Sequence, residues 1–171
     1  YELNVSCLRF FTVYGPKGRP DMAPYKFVKA VHEGAELTRY GKGDTRRDYT
    51  YIDDTVNALK LCMDRKEAVG QIFNTGTGIE TSMNELIACL GHALEVEIPT
   101  VYKPRRDWDR IARRRSDITK ISSTLGYKPT VTLAEGFRQT VGWFKENEFE
   151  NVHVSPYKNV SWRASGMKRK E

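Results

Sequence analysis

Apolar positions along the chain fall into short runs whose period keeps changing, and that rhythm outlines a fold. Residues 5–13 form a run of β-branched and aromatic side chains that stops at Gly15-Pro16. It predicts a buried strand emptying into a polar loop with Arg19, Pro20 and Asp21. Residues 21–33 read as a helix with Asp21 as N-cap, Pro24 in the first turn and Phe27, Val28 and Val31 on its apolar face. Short strands follow at 37–40 and 49–52, on either side of the turn-rich GKGDTRR. Asp53 or Asp54 then caps a helix to about residue 64, with Val56, Leu59, Leu61 and Met63 as its apolar residues.

The second half repeats the alternation. A strand at 71–75 ends in Gly76-Thr77-Gly78, and Ser82 with Glu85 forms a capping-box pair that opens a helix to about residue 94. Residues 97–102 read as a strand, followed by an irregular basic loop. A helix at 117–125 carries Ile118, Ile121 and Leu125 on one face and stops at Gly126; a second box, Thr132 with Glu135, opens a helix to about 147. Strands alternating with helices predict an α/β fold. From residue 151 the pattern gives way to a polar, basic, aperiodic stretch expected to be a flexible tail.

Composition narrows the class without changing the outline. A chain of 171 residues, 39% hydrophobic and 29% charged, suits one soluble globular domain. No apolar run is long enough to span a bilayer and no leader pattern opens the chain, so no membrane partner and a cytoplasmic location are expected. Cys7, Cys62 and Cys89 lack metal or redox spacing and read as reduced, buried thiols. His32, His92 and His153 are isolated, so no metal site is expected. Charge changes the picture more. Of the net +6, +5 arises between Lys103 and Arg115, in KPRRDWDRIARRR, and such density calls for an anionic partner.

Four stretches are candidates for chemistry, each with a plainer alternative. GKGDTRRDYTYIDD offers glycines for close approach, Arg46-Arg47 for a phosphate, and Tyr40 and Tyr49 for a base or sugar; the alternative is a hairpin turn with solvated charges. The basic run suits a pocket holding phosphate and hydroxyl groups, or nucleic acid, although Trp108 is its one aromatic; a solvated loop is equally compatible. Gly76-Thr77-Gly78 reads as a tight turn, since the full GxGxxG is missing. Tyr25 and Lys29 share the i,i+4 spacing of a YxxxK pair, but that match stands alone and reads as coincidence.

Taken in order, LRFFTVYGP, GRPDMAPYKF, YGKGDTRRDYTYIDD, FNTGTG, PRRDWD, SDITKISSTLGYKP and TLAEGFRQTVGWF resemble the C-terminal half of an extended short-chain dehydrogenase/reductase acting on nucleotide sugars. FFTVYGP followed by GRPDMA is most similar to the UDP-glucuronate 4-epimerase branch. The resemblance implies the C-terminal part of a Rossmann-like α/β fold: residues 1–20 as trailing strand and loop of the Rossmann core, 21–147 as the substrate-binding α/β region, and 148–171 as the basic tail. In that family the NAD fingerprint and the catalytic YxxxK precede the LRFFTVYGP strand. No catalytic residue is therefore assigned here, and the chain alone is expected to be inactive.

The resemblance also implies the site. Phe11 matches a position beside the nicotinamide of NAD. Thr12 matches a sugar- or phosphate-contacting position, and Arg19 one that holds the hexuronate carboxylate. Ala23 and Phe27 match the lining of the nucleotide pocket, Thr38 and Tyr40 the uracil site, Arg47 and Tyr49 the diphosphate and nucleotide contacts. Arg106 and Asp109 match an RxxD pair that grips phosphate and ribose, although Asp107-Trp108 replaces the family's usual Pro-Gly or Glu-Gly between them. The implied reaction is 4-epimerisation of UDP-glucuronate or UDP-galacturonate through transient NAD-dependent oxidation at C4, in a homodimeric parent enzyme. A UDP-glucuronate decarboxylase and a 4,6-dehydratase are the alternatives within the family. A basic nucleic-acid-binding module is the alternative outside it.

Overall fold

The computed structural model describes residues 3–105, 107 and 111–147. It is an α/β structure of mostly parallel strand pairs. In chain order the elements are β1 (Cys7–Phe10), β2 (Thr12–Tyr14), α1 (Ala23–Glu33), β3 (Leu37–Tyr40), β4 (Arg46–Arg47), β5 (Tyr49–Tyr51) and α2 (Ile52–Asp64). They continue with β6 (Ile72–Thr75), β7 (Thr81–Ser82), α3 (Met83–Leu94), β8 (Thr100–Lys103), β9 (Arg113–Arg114), α4 (Thr119–Leu125) and α5 (Leu133–Asn147).

The apolar run at 5–13 is two short strands rather than one. The chain changes partner at Phe11: β1 pairs in parallel with β6, and β2 in parallel with β5. Successive amides show the switch, Phe11 N–H donating to Thr75 O and Thr12 N–H to Asp48 O. Each half thus has one strand neighbour among the described residues, and β1 is not the buried strand its composition predicts. Cys7, Arg9 and Phe10 are exposed, Phe10 by 50%.

The hairpin that stood as the plainer alternative for GKGDTRR does not form. β3 pairs with β8 and β5 with β2, both parallel, so the two strands serve different sheets. Between them β4 joins β7 antiparallel and β9 parallel. The loop links layers because the glycines at 41 and 43 take positive φ (63° and 70°) and steer the chain out of the sheet instead of folding it back.

Helix α1 starts at Ala23, with Met22 at the N-cap and no side-chain cap. Asp21 is not the predicted cap, because its carboxylate is taken by Arg19. Pro24 does fall in the first turn, and Gly34, at φ 69°, closes the helix. Helix α2 departs further. Neither Asp53 nor Asp54 caps it, and its buried face is Asp54, Thr55 and Ala58, while Val56, Leu59 and Met63 are exposed, Met63 by 83%. The rotation has a cause in the Asp54 carboxylate. It accepts from Thr130 N (2.9 Å), Thr130 Oγ1 (3.1 Å) and Val131 N (3.1 Å), so it turns inward to tie down the segment before α5.

The Ser82–Glu85 capping box is complete: Glu85 N–H donates to Ser82 Oγ at 3.1 Å and Ser82 N–H to Glu85 Oε2 at 2.6 Å. The Thr132 box is half made. Glu135 N–H donates to Thr132 Oγ1 at 3.2 Å, but the Glu135 carboxylate accepts from Arg138 and Gln139 instead. None of the three cysteines is buried: Cys7 is exposed and Cys62 and Cys89 are half-buried, all as free thiols. The tail beyond 147 lies outside the described residues.

Two apolar cores result. The larger gathers Tyr14, Phe27, Val28, Leu86, Leu90, Phe137 and Phe144 from β2, α1, α3 and α5. Full burial of a side chain of that size stabilises by about 1.5–3 kcal/mol. Gly136 lets α5 lie against the strands, since a Cβ there would come within 2.9 Å of the Tyr51 ring. The smaller core sets Ala58, Phe73, Ile121, Leu125 and Tyr127 under β6. Among the described residues no helix is long and apolar enough to cross a membrane.

Candidate functional site

Helix α1 and strand β3 frame one cavity of about 380 Å³. Ala23, Lys26, Phe27 and Ala30 line it from the helix, the i, i+3, i+4, i+7 set of a single face. Thr38 and Tyr40 line it from the strand, and Thr45 and Met83 from β4's approach and the start of α3. Four of the positions singled out in the sequence, Ala23, Phe27, Thr38 and Tyr40, therefore meet around one space. Lys26, Glu36, Thr45 and Met83 were not singled out. Lys26 was legible as a member of the same helical face; the others follow only from how the strands assemble. The cavity offers an aromatic wall, a hydroxyl, an ammonium and a carboxylate, a mixture suited to a flat polar heterocycle.

The remaining described candidates do not line this cavity. Phe11 and Thr12 are half-buried where the chain passes from the carboxyl end of β1 to the first residue of β2; Phe11 thus stands at the end of the parallel β1–β6 pair, where ligands of open α/β sheets gather. Arg19 is exposed and forked onto Asp21, with Nε to Oδ1 at 3.0 Å and Nη2 to Oδ2 at 2.5 Å. Each holds the other charged: the hydrogen bond from Arg19 lowers the Asp21 pKa, and Asp21 raises that of Arg19. Arg47 donates from Nη1 to the carbonyls of Arg46 (2.8 Å) and Ala112 (3.4 Å), which fixes the direction of its fork. Tyr49 is buried, and burial pushes its pKa up to about 12 against the lowering influence of Arg47. Arg106 and Asp109 lie outside the described residues. Tyr25 packs edge-on to Phe144 at 4.9 Å and Lys29 pairs with Glu33 at 3.7 Å, so the YxxxK look-alike is divided between core and surface.

Behind the strands stands a residue that the sequence did not mark. Asp48, 1% exposed, is sandwiched between Arg47 and Tyr49 in the chain. Its Oδ1 accepts from Thr77 N (2.9 Å) and Thr77 Oγ1 (2.7 Å). Its Oδ2 accepts from Gly78 N (2.9 Å), Ser116 N (3.2 Å) and Ser116 Oγ. Five donors thus converge on one carboxylate, enough to hold a buried charge. Gly76-Thr77-Gly78 is therefore a wrapping around Asp48 rather than a free tight turn. Gly76 must lack a Cβ, which would stand 2.8 Å from Asp48 Oδ2 and 2.7 Å from Ser116 Cβ. Among the described residues no group of three or more His, Cys, Asp or Glu is arranged to hold a metal ion.

Comparison with known proteins is consistent with this geometry. Residues 1–76 match the NAD dependent epimerase/dehydratase family. A UDP-glucuronate 4-epimerase of Thermodesulfobacterium geofontis is 34% identical over 148 residues, 86% of this chain and 45% of the relative. A UDP-N-acetyl-alpha-D-glucosaminuronate decarboxylase of Bacillus cytotoxicus is 32% identical over 156 residues, 85% of this chain and 48% of the relative. Among solved structures, UDP-glucuronic acid 4-epimerase from Bacillus cereus, in complex with UDP-glucuronic acid and NAD, superposes with a TM-score of 0.78 at 31% identity. That likeness covers 84% of this chain and 46% of the other. The chain spans about half the length of the curated relatives it matches.

Proposed function

The chain belongs to the NAD dependent epimerase/dehydratase family, and from that premise we infer that it is the substrate-holding part of a nucleotide-sugar 4-epimerase working on UDP-glucuronate or UDP-galacturonate. The observation that carries this reading is the meeting of Ala23, Phe27, Thr38 and Tyr40 around one cavity of about 380 Å³. In this reading Phe27 and Tyr40 flank the uracil, with Thr38 as a hydrogen-bonding group. Arg47 takes the diphosphate, its fork already aimed by two backbone carbonyls. Arg106 and Asp109 are assigned to phosphate and ribose on the resemblance alone.

Arg19 exchanges its Asp21 partner for the hexuronate carboxylate, a swap of one carboxylate for another that keeps the guanidinium bidentate. Thr12 faces the sugar. Phe11, at the end of two parallel strands, suits the flank of a nicotinamide. Bound beside Phe11, NAD would supply reversible hydride acceptance at C4. The described residues do the anchoring: contacts to the remote nucleotide hold the substrate while the small sugar turns, so binding energy far from C4 serves the reacting centre.

A decarboxylase reading is kept because a relative of that name matches almost as well. Product mass separates the two outcomes: an epimer keeps the substrate's mass, a decarboxylated sugar lacks CO2 and a dehydrated one lacks water. Calorimetric titration of the chain with UDP-glucuronate and with UDP tests the binding reading. Both are expected to bind, and Tyr40→Ala to weaken both about tenfold through lost stacking on the base. Absence of binding, or binding indifferent to Tyr40→Ala and Thr38→Ala, overturns it. Steeply salt-dependent binding of RNA or DNA in place of UDP points to the nucleic-acid alternative.

A further inference from the structure

The loop that leads into α1 holds a carboxylate–guanidinium pair built within four residues. Met22 N–H donates to Arg19 O at 3.1 Å and closes a turn with Pro20 at its second position, a place proline favours. The turn sets Arg19 and Asp21 in a bidentate fork, Nε to Oδ1 at 3.0 Å and Nη2 to Oδ2 at 2.5 Å. Pro20 fixes one backbone angle between the two, so the pair costs less ordering than it would on a free chain. Two parallel N–H···O bonds to one carboxylate are also the contact that Arg19 offers a hexuronate in the reading above.

Asp21, not Arg19, is the member of the pair that lines the cavity, and Lys26 of α1 lines it too. The hydrogen bond from Arg19 chiefly, and the charge of Lys26 in addition, hold the Asp21 carboxyl below its ordinary range. Lys26 is exposed, and among the described residues its ammonium makes no hydrogen bond or ion pair. It is a second cation beside a carboxylate already taken. Helix α1 itself adds to the attraction, since no side chain caps it and its first turn holds no acidic residue. A carboxylate released from Arg19 therefore moves toward positive charge rather than away from it.

We propose that Asp21 is an internal stand-in for the substrate carboxylate: it occupies the Arg19 fork while no hexuronate is bound, and Lys26 receives it when a hexuronate displaces it. The proposal deepens the nucleotide-sugar reading and rests on it. Exchange of one carboxylate for another keeps Arg19 paired throughout, and Lys26 keeps Asp21 paired. A sugar with a hydroxymethyl group in place of the carboxylate cannot make the exchange, because it has no negative charge to give Arg19 in return. The device also suits a sugar that turns, since Asp21 takes Arg19 back whenever the sugar carboxylate lets go. Arg19 is the grip, and Asp21 and Lys26 are positioning residues that act through it. Occupancy by Asp21 lowers the apparent affinity for the acid in proportion to the fraction of molecules in which Arg19 is free. An exposed pair of this kind accounts for a factor of about two to five.

Calorimetry of the 171-residue chain with UDP-glucuronate and with UDP-glucose reads the exchange. The two ligands differ at C6 alone, so the nucleotide contacts cancel in the ratio of their affinities. Asp21→Asn frees Arg19 and is expected to raise that ratio in favour of the acid by about two- to fivefold. Lys26→Met is expected to lower it by a similar factor, and to leave it unaltered once Asp21→Asn is present, because no carboxylate is then left to receive. A ratio that falls or stays constant with Asp21→Asn overturns the proposal. So does a Lys26→Met effect that persists in the double variant, which would make Lys26 a direct contact of the sugar. Failure of the underlying reading looks different. A ratio untouched by Arg19→Ala means that Arg19 does not hold the hexuronate, and no binding of either ligand by the unsubstituted chain means that the cavity is not a nucleotide-sugar site; either result removes the proposal with its premise. The Arg19 and Asp21 side chains are 76% and 59% exposed, and thermal melts of the variants coinciding with that of the parent chain remove unfolding as a cause.

Discussion

Asp48→Asn exchanges one acceptor oxygen for a donor amide inside a nest of donors. Five donors reach the carboxylate, two on Oδ1 and three on Oδ2. The less damaging orientation of the amide keeps its oxygen on Gly78 N, Ser116 N and Ser116 Oγ and turns its NH2 toward Thr77. The Thr77 hydroxyl adapts, because it also lies 3.2 Å from the Ile79 carbonyl and can donate there while accepting from the amide. The Thr77 backbone N–H has no such freedom and is left buried against a donor, at a cost of about 1–3 kcal/mol. The three surviving bonds fall from charged to neutral acceptors, about 1 kcal/mol each before allowance for their coupling.

The expected loss is about 3–5 kcal/mol, a large part of the roughly 5–15 kcal/mol by which domains are stable. Urea unfolding followed by circular dichroism measures it. The midpoint should fall by more than about 1 M at an unchanged slope, given typical slopes of about 1–3 kcal/mol per M. Asp48 also flanks Arg47 and Tyr49 and bonds Thr12 through its carbonyl, so UDP affinity measured well below the unfolding transition should fall with it. A loss under about 1 kcal/mol would refute the reasoning, since it would mean that the convergence of donors is incidental.

Two smaller perturbations test other parts of the account. Ser82→Ala removes the oxygen that caps α3 and should cost about 1 kcal/mol in the same urea assay; no change would mean that the capping box is not holding the helix. Burial raises the pKa of Tyr14, Tyr49 and Tyr127, that of Tyr49 to about 12. A folded-state pKa above the unfolded value of about 10 makes the protein most stable below pH 10 and progressively less so as pH climbs through the folded values. Ultraviolet titration of tyrosinate should show these phenols lagging the exposed ones and ionising with cooperative unfolding; a single step near pH 10 for all tyrosines would contradict the packing.

Much of the fold and part of the site were legible because local rules suffice for them. Helix α5 and the Ser82–Glu85 start of α3 follow from periodicity and capping chemistry within a few residues, and the structure keeps both. Ala23 and Phe27 were placed at the site by the resemblance, and the structure brings Lys26 and Ala30 of the same helical face to the cavity with them. The misreadings share one cause. Val56, Leu59 and Met63 look like a core face until Asp54 is seen bonding to Thr130 and Val131, 76 and 77 residues away, which turns the helix. Asp21 looks like a cap until Arg19 claims it.

The alternation of elements, the capped start of α3 and the resemblance to a nucleotide-sugar family were determined by the sequence itself, since each depends on residues near one another in the chain or on motifs in a fixed order. Which strand pairs with which was not. β3 finds β8, β2 finds β5, and β4 finds β9 across separations that no local propensity encodes, because a strand's edge offers the same amides and carbonyls to any partner. Those pairings set Arg114 beside Arg47, wrapped Gly76-Thr77-Gly78 around Asp48 and brought Thr45 and Met83 to the cavity. Tertiary structure alone decided them, through long-range hydrogen bonds and buried carboxylates that need donors wherever in the chain they lie.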